Sequence, residues 1–455
     1  MNKSQLELKQ ESVFKLLVKY SVPAIIGMMV NALYNVVDRI FIGNIPGVGP
    51  LAIAGLGVTL PIATIQLAFG MLVGIGSATN VSIKLGQHKK EEAQNIIGTG
   101  MILSIVIGII VTILGLVFCD DILTLLGASE ATLPYAKSYV DILLMGTTFA
   151  VMSGFFFNVI RGDGSPKLSA IIMIVGCILN ASLDAILLFK FNMGIQGAAI
   201  ATVSSQLLTT VWGFEYYLRK KSNLEFKLST LKINKKAMKA IFAIGVSPFT
   251  MQLVSSLVQV ISNNALKANG GDLAIGAMAT VSSIALLFLM PTFGIGQGMQ
   301  PIVGFNYGAK QYDRAKKAFK ICVLTSSIIF ICGFIVIQTM PQVLVGMFNN
   351  DPKLMEITIN GLKKYTFAYP IISTGVLGTN YVQSIGKAKL AIVLSLLRQC
   401  ILLIPILVIL PKFLGLDGVW FAQPIADIIA TIIIGSVLIK EMKSYSKKEA
   451  EEIAA

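Results

Sequence analysis

Charged side chains stand inside long apolar stretches of this 455-residue sequence, where an ionisable group needs a chemical reason to be present. Such a group in the hydrocarbon of a membrane costs roughly 2.5–3.5 kcal/mol on insertion scales and often marks an ion pathway. Neighbouring carboxylates there disfavour each other's ionised form, so that one can hold a proton. With amide and hydroxyl oxygens, they can also replace the water shell of a sodium ion. The residues concerned are Asp38, Asp141, Asp184, Arg398 and Asp427, with Glu215 near a helix end.

The composition indicates that these stretches belong to a membrane protein. Hydrophobic residues make up 55% of the chain and charged residues 13%, with a mean hydropathy of +0.77. Soluble proteins carry about 25% charged residues. The deficit excludes a soluble enzyme, a disordered protein and a nucleic-acid-binding protein. We expect no cleavable signal peptide, and we expect the single histidine, His88, to be a solvated surface residue.

Twelve apolar segments are long enough, at about 20 residues, to cross a bilayer as helices. They are residues 14–42, 51–80, 95–118, 133–159, 167–189, 195–218, 240–266, 273–303, 315–339, 357–383, 388–410 and 417–439. Most of the 37 Lys and Arg residues lie in the terminal segments and in the loops after even-numbered segments. By the positive-inside bias, both termini are expected in the cytoplasm. The net charge of +14 is then an orientation signal.

An internal repeat relates two halves of six segments each. GIGSATNVSIKLG from Gly74 resembles GIGQGMQPIVGFNYG from Gly294, and GSPKL from Gly164 parallels GKAKL from Gly386 at an offset of 222. Parallel repeats of this kind are typical of carriers that bind substrate between the halves. The sequence therefore predicts an all-α integral membrane fold, with twelve transmembrane helices in two pseudo-symmetric six-helix bundles. The predicted parts are residues 1–218 (N-terminal half), 219–239 (basic cytoplasmic linker), 240–440 (C-terminal half) and 441–455 (cytoplasmic tail).

Helix geometry brings several polar groups of the first half to one depth. At about 1.5 Å per residue, Asp38 lies about 6 Å and Asp184 about 9 Å short of the outer ends of their helices. Asp141 and Thr202 lie about 10 Å below the outer surface. Asn180 shares a helix face with Asp184, because residues four apart stack. We therefore predict a proton or cation site, with Na⁺ as the alternative ion, formed by Asp38, Asn180, Asp184 and Thr202. At the repeat offsets, the second half has Asn263, Leu402 and Ile406 in place of Asp38, Asn180 and Asp184.

Each of these residues also has a plainer interpretation. Asp38 and Asp184 could cap helix ends or pair with Arg39 or Lys190. Tyr139 could donate to the cluster or serve as an interfacial aromatic anchor. Asp141 is nearer a loop and is at most an accessory residue. Arg398 and Asp427 could form a structural ion pair or a polar pair that contacts substrate. Pro23 could provide a mobile bend in the first helix or a static kink.

Together, these features resemble the multidrug and toxic compound extrusion (MATE) family over the chain from about Phe14 to Lys440. The resemblance rests on the two six-helix halves, on Pro23 and Asp38 in the first helix, and on Asn180, Asp184 and Thr202 across the fifth and sixth. The acidic residues of the first half are similar to those of the DinF-like branch, and the overall character is similar to MepA-type bacterial members. The NorM-like branch has acidic residues in its second half, whereas this chain has Asn263, Asn264 and Asn380 there.

The resemblance implies a V-shaped carrier that exports organic cations and amphiphilic drugs in exchange for H⁺ or Na⁺. It assigns the coupling role to Asp38, Asn180, Asp184 and Thr202. It also implies a monomer in the cell membrane that contributes to antibiotic resistance and needs no cofactor beyond the coupling ion. The alternative function is a flippase for lipid-linked oligosaccharides or peptidoglycan precursors. An enzyme is not expected, since HExxH and GxSxG motifs are lacking.

Overall fold

The computed structural model describes residues 3–43, 49–126, 132–219, 222, 224, 230–348 and 351–454, and these residues are mainly helical, with no strand among them. The first nine helices are α1 (Lys3–Gln10), α2 (Val13–Gly43), α3 (Gly49–Gly86), α4 (Lys90–Val117), α5 (Cys119–Leu125), α6 (Leu133–Met145), α7 (Thr147–Gly162), α8 (Pro166–Ala185) and α9 (Gly194–Leu218). The remaining helices are α10 (Lys235–Gly308), α11 (Tyr312–Thr339), α12 (Pro341–Gly346), α13 (Pro352–Tyr365), α14 (Ile372–Ser384), α15 (Ala388–Leu396), α16 (Ile404–Leu414) and α17 (Leu416–Ala454).

Each of the twelve predicted spans coincides with a helix or with consecutive helices. Within the described ranges, nine helices are long and apolar enough to cross a membrane, or ten if α6 and α7, which meet at 57°, form one span. The other two predicted spans correspond to α9 and to the pair α13 and α14. Helix α10 contains two spans, which meet at Gly271 with φ 64° and ψ −162°. A residue without a Cβ adopts a positive φ at little cost, so glycine permits this break.

Among the described residues, two π-helical turns interrupt the α-helices. One, Ile186–Lys190, follows directly on α8. The other, Leu397–Leu403, joins α15 to α16 within the continuous span Ala388–Leu414. Such turns are rare in proteins, and those that occur often lie at functional sites. Both lie beside charged residues that the sequence singled out.

The chain forms two compact units, and the beginnings of two helices are exchanged between them. The first unit contains Met1–Glu11 and Val22–Gln252, and the second contains Ser12–Ser21 and Leu253–Ala455. The start of α2 therefore packs in the second unit, and the start of α10 packs in the first. Part of the predicted linker 219–239 lies outside the described residues. Helix α17 continues through the predicted tail to Ala454.

Glycines allow these exchanged segments to pack closely. In the first unit, Gly76 of α3 lies against the carbonyl oxygen of Ile241, and Gly245 of α10 lies against that of Leu72, with no room for a Cβ at either glycine. Asn80 Nδ2 adds a hydrogen bond to the Ala240 carbonyl at 3.0 Å. In the second unit, Gly298 lies against the side-chain oxygen, Cα and backbone nitrogen of Ser21 in α2, again with no room for a Cβ. Small residues at such contacts let membrane helices approach closely.

A buried apolar cluster in the first unit fixes the helices that carry the predicted site. It includes Ile42 of α2, Val140 of α6, Leu188 after α8 and Ala198 of α9, all 2% exposed or less. Because these residues come from four parts of the chain, their packing sets the positions of the polar side chains one or two turns away.

Candidate cation-coupling site

The centre of the site is a pair of buried carboxyl groups in the first unit. Asp38 lies near the end of α2 and Asp184 in the last turn of α8, and their side chains are within hydrogen-bonding contact. They are 8% and 0% exposed. An ionised carboxylate only accepts hydrogen bonds, so a bond between two carboxyl groups needs a proton on one of them. Oδ1 of Asp184 has no hydrogen-bond donor among the described residues.

Asn180 connects this pair to the neighbouring helices. It lies one turn before Asp184 on α8 and is 2% exposed. In the amide orientation in which both the oxygen and the nitrogen of the side chain have hydrogen-bond partners, Nδ2 donates to Asp184 Oδ2 at 2.7 Å. Oδ1 then accepts from the Tyr34 hydroxyl and from Thr202 Oγ1, each at 3.2 Å. Buried polar groups are nearly always hydrogen-bonded, and this orientation meets that requirement.

Two tyrosines complete the cluster. The hydroxyls of Tyr34 on α2 and Tyr139 on α6 both hydrogen-bond to the side chain of Thr202, and both lie close to the carboxyl groups of Asp38 and Asp184. The structure thus brings Tyr139 together with Asp38, Asn180, Asp184 and Thr202. Sequence analysis did not identify Tyr34. The available signal was its spacing, since Tyr34 precedes Asp38 by four residues, as Asn180 precedes Asp184.

Asp141 lies apart from the cluster, although its depth matches that of Thr202. Residues two apart on a helix differ by about 200° in direction, so Asp141 and Tyr139 lie on different faces of α6. The Asp141 side chain hydrogen-bonds to Cys119, near Lys137. Burial of the Cys119 thiol, followed by this contact, raises the pKa of the thiol to about 11.

Arg398 and Asp427 form an ion pair in the second unit. Arg398 Nε lies 2.6 Å from Asp427 Oδ1, and the two side chains are 15% and 8% exposed. Gln423 Nε2 donates to both carboxylate oxygens at 3.1 Å.

Among the described residues, no group of three or more His, Cys, Asp or Glu residues could hold a metal ion. The first-unit cluster therefore offers two carboxylates with amide and hydroxyl oxygens, a donor set suited to a proton or a monovalent cation.

Pro23 lies inside α2 at the point where this helix passes from one unit to the other. The helix runs unbroken from Val13 to Gly43 with Pro23 in its interior. Residues up to Ser21 pack in the second unit and residues from Val22 onward in the first. The one helix therefore carries both the proline and Asp38.

The repeated helical fold and the buried carboxyl pair define a multi-pass membrane protein of the transporter class. The MatE family model matches the chain twice, over residues 23–186 and 248–409, and the chain belongs to the MatE family. This result confirms the resemblance inferred from the sequence. The two matches begin at Pro23 and Pro248 and also confirm the internal repeat.

Similar proteins support the same assignment. Multidrug export protein MepA of Staphylococcus haemolyticus is 27% identical over 425 residues, 93% of each chain, and MepA of Staphylococcus aureus is 27% identical over 419 residues, 92% of each. A solved MOP superfamily transporter from Pyrococcus furiosus is 23% identical and has a TM-score of 0.91, over 98% of this chain and 99% of that one. The predicted all-helical, twelve-span fold class is confirmed. Both curated relatives are named as exporters, which favours a transporter over an enzyme and does not favour the flippase alternative.

Proposed function

We propose that this protein is a secondary active multidrug exporter that exchanges organic cations and amphiphilic compounds for H⁺ or Na⁺ by alternating access. The contact between the buried carboxyl groups of Asp38 and Asp184 carries this proposal. A transporter that couples to a cation needs a site whose charge changes when the ion binds, and this pair provides one. The exporter names of the Staphylococcus relatives support the class of cargo.

The cluster can hold either coupling ion. A proton satisfies the contact between the two carboxyl groups directly. A sodium ion would take oxygens from Asp38 and Asp184, with Asn180 and Thr202 as neutral ligands. One charge that moves down the membrane potential supplies about 2.3 kcal/mol per 100 mV. That free energy corresponds to between one and two factors of ten in the substrate gradient.

Helix α2 connects ion binding to a change of conformation in this mechanism. The outward-open state exchanges substrate for a cation at Asp38 and Asp184. Neutralisation of the carboxyl pair then alters the contacts of α2 beyond Pro23. A proline lacks the backbone N–H that would complete the helical ladder, so the helix bends most easily there.

The remaining features of the proposal concern the membrane and the chain ends. We place the protein in the cell membrane as a monomer with both termini in the cytoplasm, and we divide it into repeats at residues 219–239. The basic residues in the last turn of α3 and in the loop after it support this orientation. Two of them, Lys84 and Lys89, form ion pairs with Glu92, and Lys84 Nζ lies 2.5 Å from its carboxylate.

Reconstituted protein tests the proposal. Purified protein in liposomes receives either a pH step or a sodium step, and the movement of a cationic fluorescent dye is recorded. We expect one of the two gradients to drive dye movement in the wild type, and Asp38→Asn to abolish this movement while the protein stays folded. Undiminished movement in Asp38→Asn would contradict coupling at this pair. A wild type that responds to neither gradient would contradict the exporter assignment.

A further inference from the structure

In the ion pair of the second unit, only one nitrogen of the Arg398 guanidinium donates a hydrogen bond. Arg398 donates through Nε to Asp427, and its two terminal nitrogens donate to none of the described residues. Both Asp427 oxygens, in contrast, accept hydrogen bonds, from Arg398 and from Gln423. The open hydrogen-bonding capacity of this cluster therefore belongs to the cation. The Nε contact also fixes the plane of the guanidinium, so the edge formed by its terminal nitrogens has a defined direction.

The repeat shows that helix packing does not require this pair. GSPKL and GKAKL align at an offset of 222, which places Gly176 of α8 where Arg398 stands. GIQG from Gly194 and GLDG from Gly415 align at an offset of 221, and both of these glycines have φ 57°. This second alignment places Gln206 of α9 where Asp427 stands. The first unit thus packs the corresponding helices, α8 and α9, with no charge at either position.

Energetics leads to the same conclusion. Replacing a buried ion pair by well-packed apolar residues is often neutral or stabilising, because desolvation of the two charges offsets their attraction. A charged pair in one repeat, at positions that are uncharged in the other, is therefore poorly explained by stability. An intramembrane ionisable residue is more often part of a functional site.

The surroundings of Arg398 match an organic anion with an apolar body. The phenolic groups of Tyr365 and Tyr369 lie close enough to interact electrostatically with the guanidinium. The Tyr369 hydroxyl is held by the carbonyl of Ala285 at 3.3 Å, which fixes that ring. Arginine binds carboxylates through two parallel hydrogen bonds, and aromatic rings accept the apolar part of such a ligand.

The depth of Arg398 in the membrane indicates whether its anion is a lipid headgroup or a transported compound. It lies ten residues, or about 15 Å, from the start of the span Ala388–Leu414. The hydrocarbon core is about 30 Å thick, so this position is near its centre. The phosphate of a phospholipid headgroup lies outside the hydrocarbon. The depth therefore favours a transported compound over a bound lipid.

We infer that the terminal nitrogens of Arg398 form a subsite for the carboxylate of zwitterionic or anionic amphiphilic substrates, with Asp427 and Gln423 as the residues that position the guanidinium. The inference rests on the proposed exporter function and assigns Arg398 as a residue that distinguishes carboxylate-bearing compounds from those without a carboxylate. Gln423 and Asp427 act through Arg398 and need not touch the substrate themselves.

A matched pair of dyes tests the subsite. The probes are a rhodamine dye with a free carboxylate and the methyl ester of the same dye, and binding to purified full-length protein in detergent is measured by fluorescence anisotropy. Arg398→Lys keeps a cation beside Asp427 but loses the terminal pair of nitrogens. We expect it to weaken binding of the acid dye about tenfold or more, and to leave binding of the ester within about twofold. Each tenfold loss corresponds to about 1.4 kcal/mol.

A double variant and a control make the result decisive. Arg398→Gln with Asp427→Asn removes both charges without leaving either one unpaired, and should give the same selective loss. Lys412→Gln changes a cation on the same span and should bind both dyes as the wild type does. An equal loss of both dyes would show a structural role, and unchanged binding of the acid dye in both Arg398 variants would also overturn the inference. A wild type that binds the ester but not the acid would contradict the subsite alone, whereas one that binds neither would contradict the proposed function as well.

Discussion

The carboxyl groups of Asp38 and Asp184 meet in hydrogen-bonding contact, although they belong to helices α2 and α8. Asn180 secures one side of the contact by donating to Asp184 Oδ2 at 2.7 Å. The contact is stable only when one of the two groups is protonated or when a cation lies between them. In the proposed mechanism, the site therefore has two states that differ by one positive charge.

The first prediction concerns coupling. Asp184→Asn removes one of the two charges and should reduce gradient-driven dye transport in liposomes to the level of protein-free vesicles. Asp141→Asn is the matched control, because Asp141 lies on a different face of α6 beside Cys119 and Lys137. It should transport the dye at close to the wild-type rate. Equal loss of transport in both variants would show that acidic side chains near the outer surface act together, contrary to the assignment.

The second prediction concerns the proton itself. If H⁺ is the coupling ion, infrared difference spectra between acidic and alkaline samples should show the carbonyl stretch of a buried protonated carboxyl group in the acidic sample. The band should disappear in the double variant Asp38→Asn with Asp184→Asn, which removes both carboxyl groups; burial alone could keep either one protonated in a single variant. It should persist in Asp427→Asn, which leaves the first unit unchanged. A band that survives in the double variant would place the proton elsewhere.

The third prediction concerns the two tyrosines. Tyr34→Phe and Tyr139→Phe each remove a hydroxyl that hydrogen-bonds to Thr202. A net hydrogen bond contributes about 0.5–1.5 kcal/mol, so the ion concentration for half-maximal transport should rise roughly two- to tenfold. Tyr135→Phe, one turn before Tyr139 on α6, is the control and should leave this concentration unchanged. A fall in maximal rate with no change in the ion dependence would indicate a role in conformational change instead.

How much of this site was predictable differs from residue to residue. The lengths of the apolar segments and the distribution of charge were enough to predict the helices. The helical rise per residue then predicted that Asp38, Asp184 and Thr202 lie at a common depth. The same estimate placed Asp141 with them, because depth carries no information about the direction of a side chain around the helix. Tyr34 was missed because a tyrosine in an apolar segment is not distinctive, and its spacing of four residues from Asp38 becomes informative only once Asp38 is placed in the site. The bend between α6 and α7 was also missed, since Gly146 is one of 41 glycines.

The fourth prediction concerns stability. A Cβ at Gly245 would collide with the carbonyl of Leu72, which is rigid backbone of α3. Gly245→Ala should therefore lower the thermal unfolding midpoint in detergent, by the amount that corresponds to about 1–3 kcal/mol of overpacking. In Gly276→Ala, the nearest atom is Leu354 Cδ1 at 3.8 Å, an ordinary contact. That variant should be unchanged or slightly more stable, because alanine favours a helix over glycine. A Gly245→Ala protein as stable as Gly276→Ala would contradict the close packing of α3 and α10.

The exchange of helix beginnings between the two units constrains the order in which the chain can fold during its synthesis. The surface of α3 around Gly76 has no partner until the ribosome has made residues 235–252. The first turns of α2 lack their packing partner for longer, until Gly298 has been inserted into the membrane. Domains generally fold as units, the N-terminal one first during translation, but here neither unit is complete when the first half of the chain has been translated. Two co-expressed fragments divided after Gln252 would keep α3 covered from the start, whereas fragments divided after Leu218 would leave the first fragment dependent on the second.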